Sequence, residues 1–159
     1  MINNFVSKLF EIEKEIKTAE HLIYKAFPVI REQKMILRAF ESLNRASIKN
    51  ISLILKAEYF LGNIKLGKDS VENLKMFFER SGEKYGLDER EIKILREIIH
   101  LGKKHRNSEF EIVKNDKVAI FDDYGIIYLS LGRIREYFNI CKKLLQNTNR
   151  QFSTIFRKV

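Results

Sequence analysis

Apolar residues recur along this chain at the spacing of helix faces. In the first thirty residues, Phe5, Leu9, Ile12, Ile16, Ala19, Ile23, Ala26 and Ile30 stand alternately four and three apart, with mainly Lys and Glu between them. That spacing puts the apolar set on one helix face and the charges on the other. Asn3 or Asn4 suits the cap position, because a short polar side chain accepts from the N–H groups left open at a helix start. Pro28 lacks an N–H and crowds the preceding turn, so the helix is expected to end or kink near Phe27. The continuation of the seam to Ile30 is compatible with a kink.

A second helix is expected over about residues 31 to 61. Leu37, Phe40, Ile48, Ile51 and Leu55 share a face, and Leu43, Ile54, Tyr59, Phe60 and Leu61 widen it, as suits a central helix. Asn44 and Ser47 interrupt it, either as a buried polar pair or, the favoured reading, facing water. Gly62 and Gly67 bracket a connection. Asp69 or Ser70 then caps a third helix carrying Val71, Leu74, Phe77 and Phe78, which Ser81-Gly82 and Tyr85-Gly86 end. Asp88 caps a fourth, with Glu89 and Glu91 in its positively polarised first turn and Ile92, Leu95, Ile98 and Ile99 inward.

Helical spacing then lapses. Phe110–Val113 and Lys117–Phe121 flank Lys114-Asn115-Asp116, the pattern of a small β-hairpin packed on the bundle, with a compact loop as the alternative. Asp122-Asp123-Tyr124-Gly125 reads as a turn and Ser130 as the cap of a last long helix, whose seam is Leu131, Ile134, Phe138, Cys141 and Leu145. Asn147-Thr148-Asn149 should loosen or end that helix. The tail, residues 148–159, is a last helical turn, a dimer contact or a mobile arm.

Composition narrows the class. One proline and seven glycines in 159 residues supply too few turns for a β-sandwich. No stretch approaches the roughly 18 uninterrupted apolar residues of a membrane span, and the N-terminus lacks the basic start and apolar run of a signal peptide. The single cysteine, Cys141, has no partner within the chain and reads as a small buried hydrophobe, which points to a cytoplasmic protein. Thirty Lys and Arg against 21 acids give a formal charge of +9. The excess has two readings: an acidic partner, nucleic acid first, or the Lys-rich composition of a thermophile or an AT-rich genome.

The densest polar run is Lys103, Lys104, His105, Arg106 and Asn107. Cations at a helix C-terminus meet its negative end, a sufficient structural reason for them. The same residues suit phosphate, with Arg106 as a fork and the lysines as point charges. His105 carries an imidazole, a side chain with the chemistry for proton transfer. His100 lies five residues from His105, off its face, and His21 is remote. Zinc-site spacings, phosphate-binding glycine loops and nucleophile elbows are missing, so no metal, cofactor or catalytic residue is assigned. Asp122-Asp123 reads as a solvated turn. Arg133 and Arg135 stand at the unfavourable end of the last helix, so they pair with nearby acids or join the basic run.

Two family likenesses follow from these residues. Ala19-Glu20-His21-Leu22 with Phe27-Pro28-Val29, and His105-Arg106-Asn107-Ser108-Glu109-Phe110 followed by Lys117-Val118-Ala119-Ile120, make most of the chain resemble a group of uncharacterised archaeal helical proteins. That likeness implies no activity. More distantly, the basic bundle with a late polar motif resembles HEPN domains, helical bundles that bind nucleotides, cleave RNA and often dimerise. Their motif is an Arg, usually followed by a polar residue, then a His four to six residues on. Arg106-Asn107 matches the first half, Glu111, Ile112 and Val113 stand where the His belongs, and His105 lies on the other side of Arg106. The resemblance therefore implies a non-catalytic relative.

Together these readings predict one all-α domain over residues 1–159, a bundle of about five helices with a small β-hairpin near residues 110–121. The first and last seams are expected to pack together, with a homodimer interface as the alternative. The leading function is RNA or polyanion binding through Lys103, Lys104, His105, Arg106 and Asn107, without a membrane partner. The alternatives are a helical protein-interaction module and, last, a metal-independent ribonuclease using His105 and Arg106.

Overall fold

The computed structural model describes residues 2–106, 111–114, 117–122 and 125–157. It is an all-α bundle carrying a small antiparallel sheet, as the spacing predicts. Helix α1 (Ile2–His21) runs through a π-helical turn, Leu22–Ala26, into α2 (Phe27–Ile30). Because α1 begins at Ile2, Asn3 and Asn4 fall inside its first turn instead of capping it.

The π-turn is how the helix passes Pro28. Phe27 donates its N–H to Leu22, five residues back, and the wider turn takes in one extra residue just ahead of the proline. The extra residue rotates the seam. Phe5, Ile12, Ile16, Ala19 and Ile23 are buried as expected, but the next buried position is Phe27, and Ile30 faces solvent. The chain then reverses at Arg31, which holds a left-handed conformation (φ 56°).

Helix α3 (Lys34–Phe60) is the centre of the molecule and packs against α1, α6 (Glu89–Arg106) and α7 (Leu131–Arg157). Ile48, Tyr59, Phe60 and Leu61 are nonetheless exposed. Ile48 lies at the margin where Arg45 and Lys49 reach across to Glu15 and Glu11 of α1, and the other three end the helix. Conversely, Asn44 and Ser47 do not face water. Both are buried, as are Asn50 and Glu58, and each meets a partner on a neighbouring element. The Glu58 carboxylate accepts from Lys84 Nζ (2.7 and 2.8 Å), Asn63 Nδ2 (2.9 Å) and the Tyr85 hydroxyl (3.1 Å). Burial, together with the Glu58 charge, pushes the Tyr85 pKa far above its ordinary value.

Asp69 caps α4 (Ser70–Met76) by accepting from the Val71 N–H at 2.9 Å. Ser81-Gly82 does not stop this segment. A second π-turn, Phe77–Ser81, carries it into α5 (Gly82–Lys84), and it ends at Gly86, whose positive φ of 83° favours glycine. Asp88 and Glu91 cap α6 reciprocally, each side chain accepting from the other's N–H.

Strands β1 (Glu111–Lys114), β2 (Lys117–Asp122) and β3 (Gly125–Ser130) form a sheet in that order. The expected hairpin is β1–β2, in register Lys114 to Lys117; Phe110, Asn115 and Asp116 lie outside the described residues. A third strand pairs where a turn leading straight into the last helix was expected, and Ile126–Leu129 supply its β-favouring side chains. Val118, Ile120 and Leu129 are buried against the helices, which gives so small a sheet the support it needs.

Ser130 does cap α7, accepting from the Arg133 N–H at 3.2 Å. The helix does not end at Asn147-Thr148-Asn149. Asn147 Nδ2 donates to the Tyr85 carbonyl (2.9 Å), and the Thr148 hydroxyl lies 2.9 Å from Asn50 Oδ1, so tertiary partners hold residues that would otherwise compete with the helical backbone. The tail takes the helical alternative as far as Arg157. Phe152 packs edge-on to Phe5, Phe156 and Tyr85, so the seams of α1 and α7 meet inside the molecule. No helix among the described residues is long and apolar enough to cross a membrane.

Phe152 is only 3% exposed. Phe152→Ala is expected to cost about 3–5 kcal/mol in denaturant unfolding. A loss below about 1 kcal/mol, the size of an ordinary surface change, would show that the end of α7 is not part of the core.

Candidate functional site

The basic run forms the last turn of α6. Its residues divide by face. Gly102 and His105 turn toward α3, whereas Lys103 and Arg106 are exposed. His105 Nε2 lies 3.0 Å from Glu41 Oε1 of α3, and its ring stands edge-on to Phe40. Asn107 lies outside the described residues.

Arg106 is held by Asn44. The buried Asn44 amide donates through Nδ2 to the Ile98 carbonyl at 3.0 Å and accepts through Oδ1 from Arg106 Nη1 at 3.2 Å. It fits because Gly102 has no side chain: a Cβ there would stand 2.0 Å from Asn44 Nδ2 and 2.3 Å from its Cγ. One amide thus ties the two helices together and braces the arginine. A guanidinium carries five N–H donors, so one bond to Asn44 orients the fork while its other edge stays at the surface.

The helix dipole accounts for cations at this position but not for the brace. On α3, Lys34 and Arg38 are exposed and precede Glu41 by seven and three residues, which places them on its face. They extend the positive surface beyond His105. Elsewhere much of the positive charge is matched by acids, in the pairs Lys17–Glu13, Arg45–Glu15, Lys84–Glu58, Arg90–Glu136 and Lys143–Glu91. Lys103 and Arg106 have no ion pair among the described residues.

The remaining candidates separate from this cluster. His100 lies in a cleft with Arg133, which pairs with Glu97; Arg135 stands over the Tyr24 ring at 5.8 Å. Both arginines at the start of α7 therefore have local partners. His21 lies on the outer face of α1. Asp122 ends β2 opposite Gly125, and Asp123 is outside the described residues. Cys141 is fully buried 3.2 Å from the Ser47 hydroxyl, and burial pushes its thiol up to about 12, which removes it as a nucleophile near neutral pH. Among the described residues no group of three or more His, Cys, Asp or Glu is placed to hold a metal ion.

Asn44, Glu41 and Gly102 are absent from the sequence-level candidates. Their signal was present as a polar residue on the apolar phase of α3 and a glycine inside α6, but nothing in either segment ties one to the other. No family model, curated protein or solved structure matches the chain.

Glycine to alanine inside a helix ordinarily stabilises by about 0.5–1 kcal/mol. Gly132→Ala, in open space in α7, is expected to follow that rule. Gly102→Ala is expected to reverse it, lowering stability by about 1–3 kcal/mol as Asn44 is driven from its partners. Denaturant unfolding of the two variants checks this; a stabilised Gly102→Ala would mean that the amide moves aside freely.

Proposed function

We propose that this protein is a non-catalytic, HEPN-like binder of RNA or a similar polyanion that takes phosphate on the last turn of α6. The observation that carries this reading is the exposed Arg106 guanidinium held in place by a buried amide. Pre-orienting a long side chain lowers the entropy lost when it clamps an anion. Lys103 and Lys104 add positive charge beside it, and Lys34 and Arg38 continue the surface along α3. His105 contributes as the partner of Glu41, within a stationary wall of the site.

A protein-interaction role is the second reading. Ile2, Val6 and Phe10 form an exposed stripe at a spacing of four on α1, with Phe10 69% exposed. Apolar contact of that kind is insensitive to salt, whereas phosphate contact is not.

Fluorescence anisotropy of a labelled single-stranded RNA across a salt series tests the proposal. Affinity is expected to fall steeply with salt, and replacing Lys103 and Arg106 by Ala should lower the slope of log K against log salt by about one for each cation removed. Absence of binding at about 50 mM salt, or an unchanged slope in the double variant, would overturn it.

A further inference from the structure

A strand at the edge of a sheet presents a row of main-chain donors and acceptors that another strand can pair with. β3 is such an edge. It stands last in the order β1-β2-β3 and pairs with β2 along one side. Among the described residues no other backbone hydrogen bond reaches Gly125–Leu129. Natural edges are commonly blunted by charge or proline. β3 reads Gly-Ile-Ile-Tyr-Leu-Ser, with neither, whereas β1 at the other edge begins on Glu111 and ends on Lys114.

The open edge runs along a cleft of about 370 Å³. Helix α6 forms one wall with Glu97, His100 and Leu101, spaced as a single helix face. Arg133, in the first turn of α7, stands at the end where β3 finishes. The other wall is Ile126, Ile127 and Tyr128, three consecutive residues of β3. Successive strand side chains point to opposite faces. Ile127 packs against the core with Leu129, while Ile126 and Tyr128 are exposed on the other face. What the three residues share is the edge of the strand, so the cleft is a groove between an open sheet edge and a helix.

We propose that this groove takes an extended peptide segment of a partner protein as a fourth strand, apolar at its centre and acidic at its flanks. Main-chain pairing with β3 supplies the affinity, and alternate side chains supply the specificity. One set of side chains would turn inward to the α6 wall, where the cleft volume favours small residues such as Val or Thr. The other set would lie beside Ile126 and Tyr128, as apolar cross-strand neighbours. Six strand residues give the groove a length of about 20 Å. The formal charge of +9 favours acidic flanks on the partner. A second copy of this chain fits less well. It would bring its own α6 beside its own β3, so two such edges crowd each other, whereas a lone extended segment has nothing behind it. The proposal does not depend on the RNA reading, since the groove and Arg106 are separate surfaces.

The test uses the full chain and a fluorescein-labelled peptide, Glu-Glu-Thr-Val-Thr-Val-Thr-Glu-Glu, followed by anisotropy at about 0.15 M salt. Saturable binding below millimolar peptide is expected. The same peptide N-methylated at its central Thr and the following Val keeps its side chains but loses main-chain donors on both strand edges. It is expected to bind at least about tenfold more weakly. His100→Trp fills the groove from an exposed position of α6. It is expected to weaken the unmodified peptide by about tenfold while circular dichroism stays that of the folded protein. Amide hydrogen exchange of the wild-type protein should slow at alternate residues of β3 when peptide is bound. No binding at millimolar peptide, equal affinity of the methylated peptide, or protection that leaves β3 unchanged overturns the proposal. So does a dimer of the protein alone with its β3 amides protected, since a second copy would then occupy the edge.

Discussion

The amide of Asn44 is the contact on which the α3–α6 arrangement and the candidate site both depend. A buried amide costs free energy unless its donors and acceptor are met. Asn44 meets that requirement with the Ile98 carbonyl and Arg106, and only where Gly102 lets the helices close around it. A shift of either helix by one residue would leave a buried polar group unsatisfied. The same bond therefore fixes helix register and aims a surface arginine.

Asn44 is one rung of a polar ladder along α3. Ser47 lies against Cys141, Asn50 against Thr148 and Glu58 against Lys84 and Tyr85. Each rung faces a different part of the surroundings, so the central helix specifies α6, α7 and the α5 end separately. Apolar packing alone would tolerate sliding; polar pairs penalise it. The surface at the α6 end inherits this rigidity, since His105 and Arg106 are both held by α3.

The parts of the fold that follow from one-dimensional spacing were visible in the sequence. The seams of α1 and α7, the caps Asp69, Asp88 and Ser130, and the β1–β2 pairing all rest on neighbours close in sequence. What escaped depends on distant partners. Asn147 and Thr148 look like helix breakers until Tyr85 and Asn50 receive them. Asn44 and Ser47 look solvated until α6 and α7 cover them. The shift from Ala26 and Ile30 to Phe27 follows from a π-turn that no spacing of apolar residues encodes. At the site, Lys103 and Arg106 were visible as charge, whereas the brace that distinguishes Arg106 from a merely helix-stabilising cation is a contact across 62 residues.

If Asn44 acts on the ligand through Arg106, their effects on RNA affinity must not add. A double-mutant cycle with Asn44→Ala and Arg106→Ala, measured where all four proteins are folded, tests this directly. Asn44→Ala should weaken binding when Arg106 is present and have little further effect once Arg106 is gone, giving a coupling of about 0.5 kcal/mol or more. Purely additive losses, or full RNA affinity in Asn44→Ala, would contradict the claim that a buried amide prepares the arginine for phosphate.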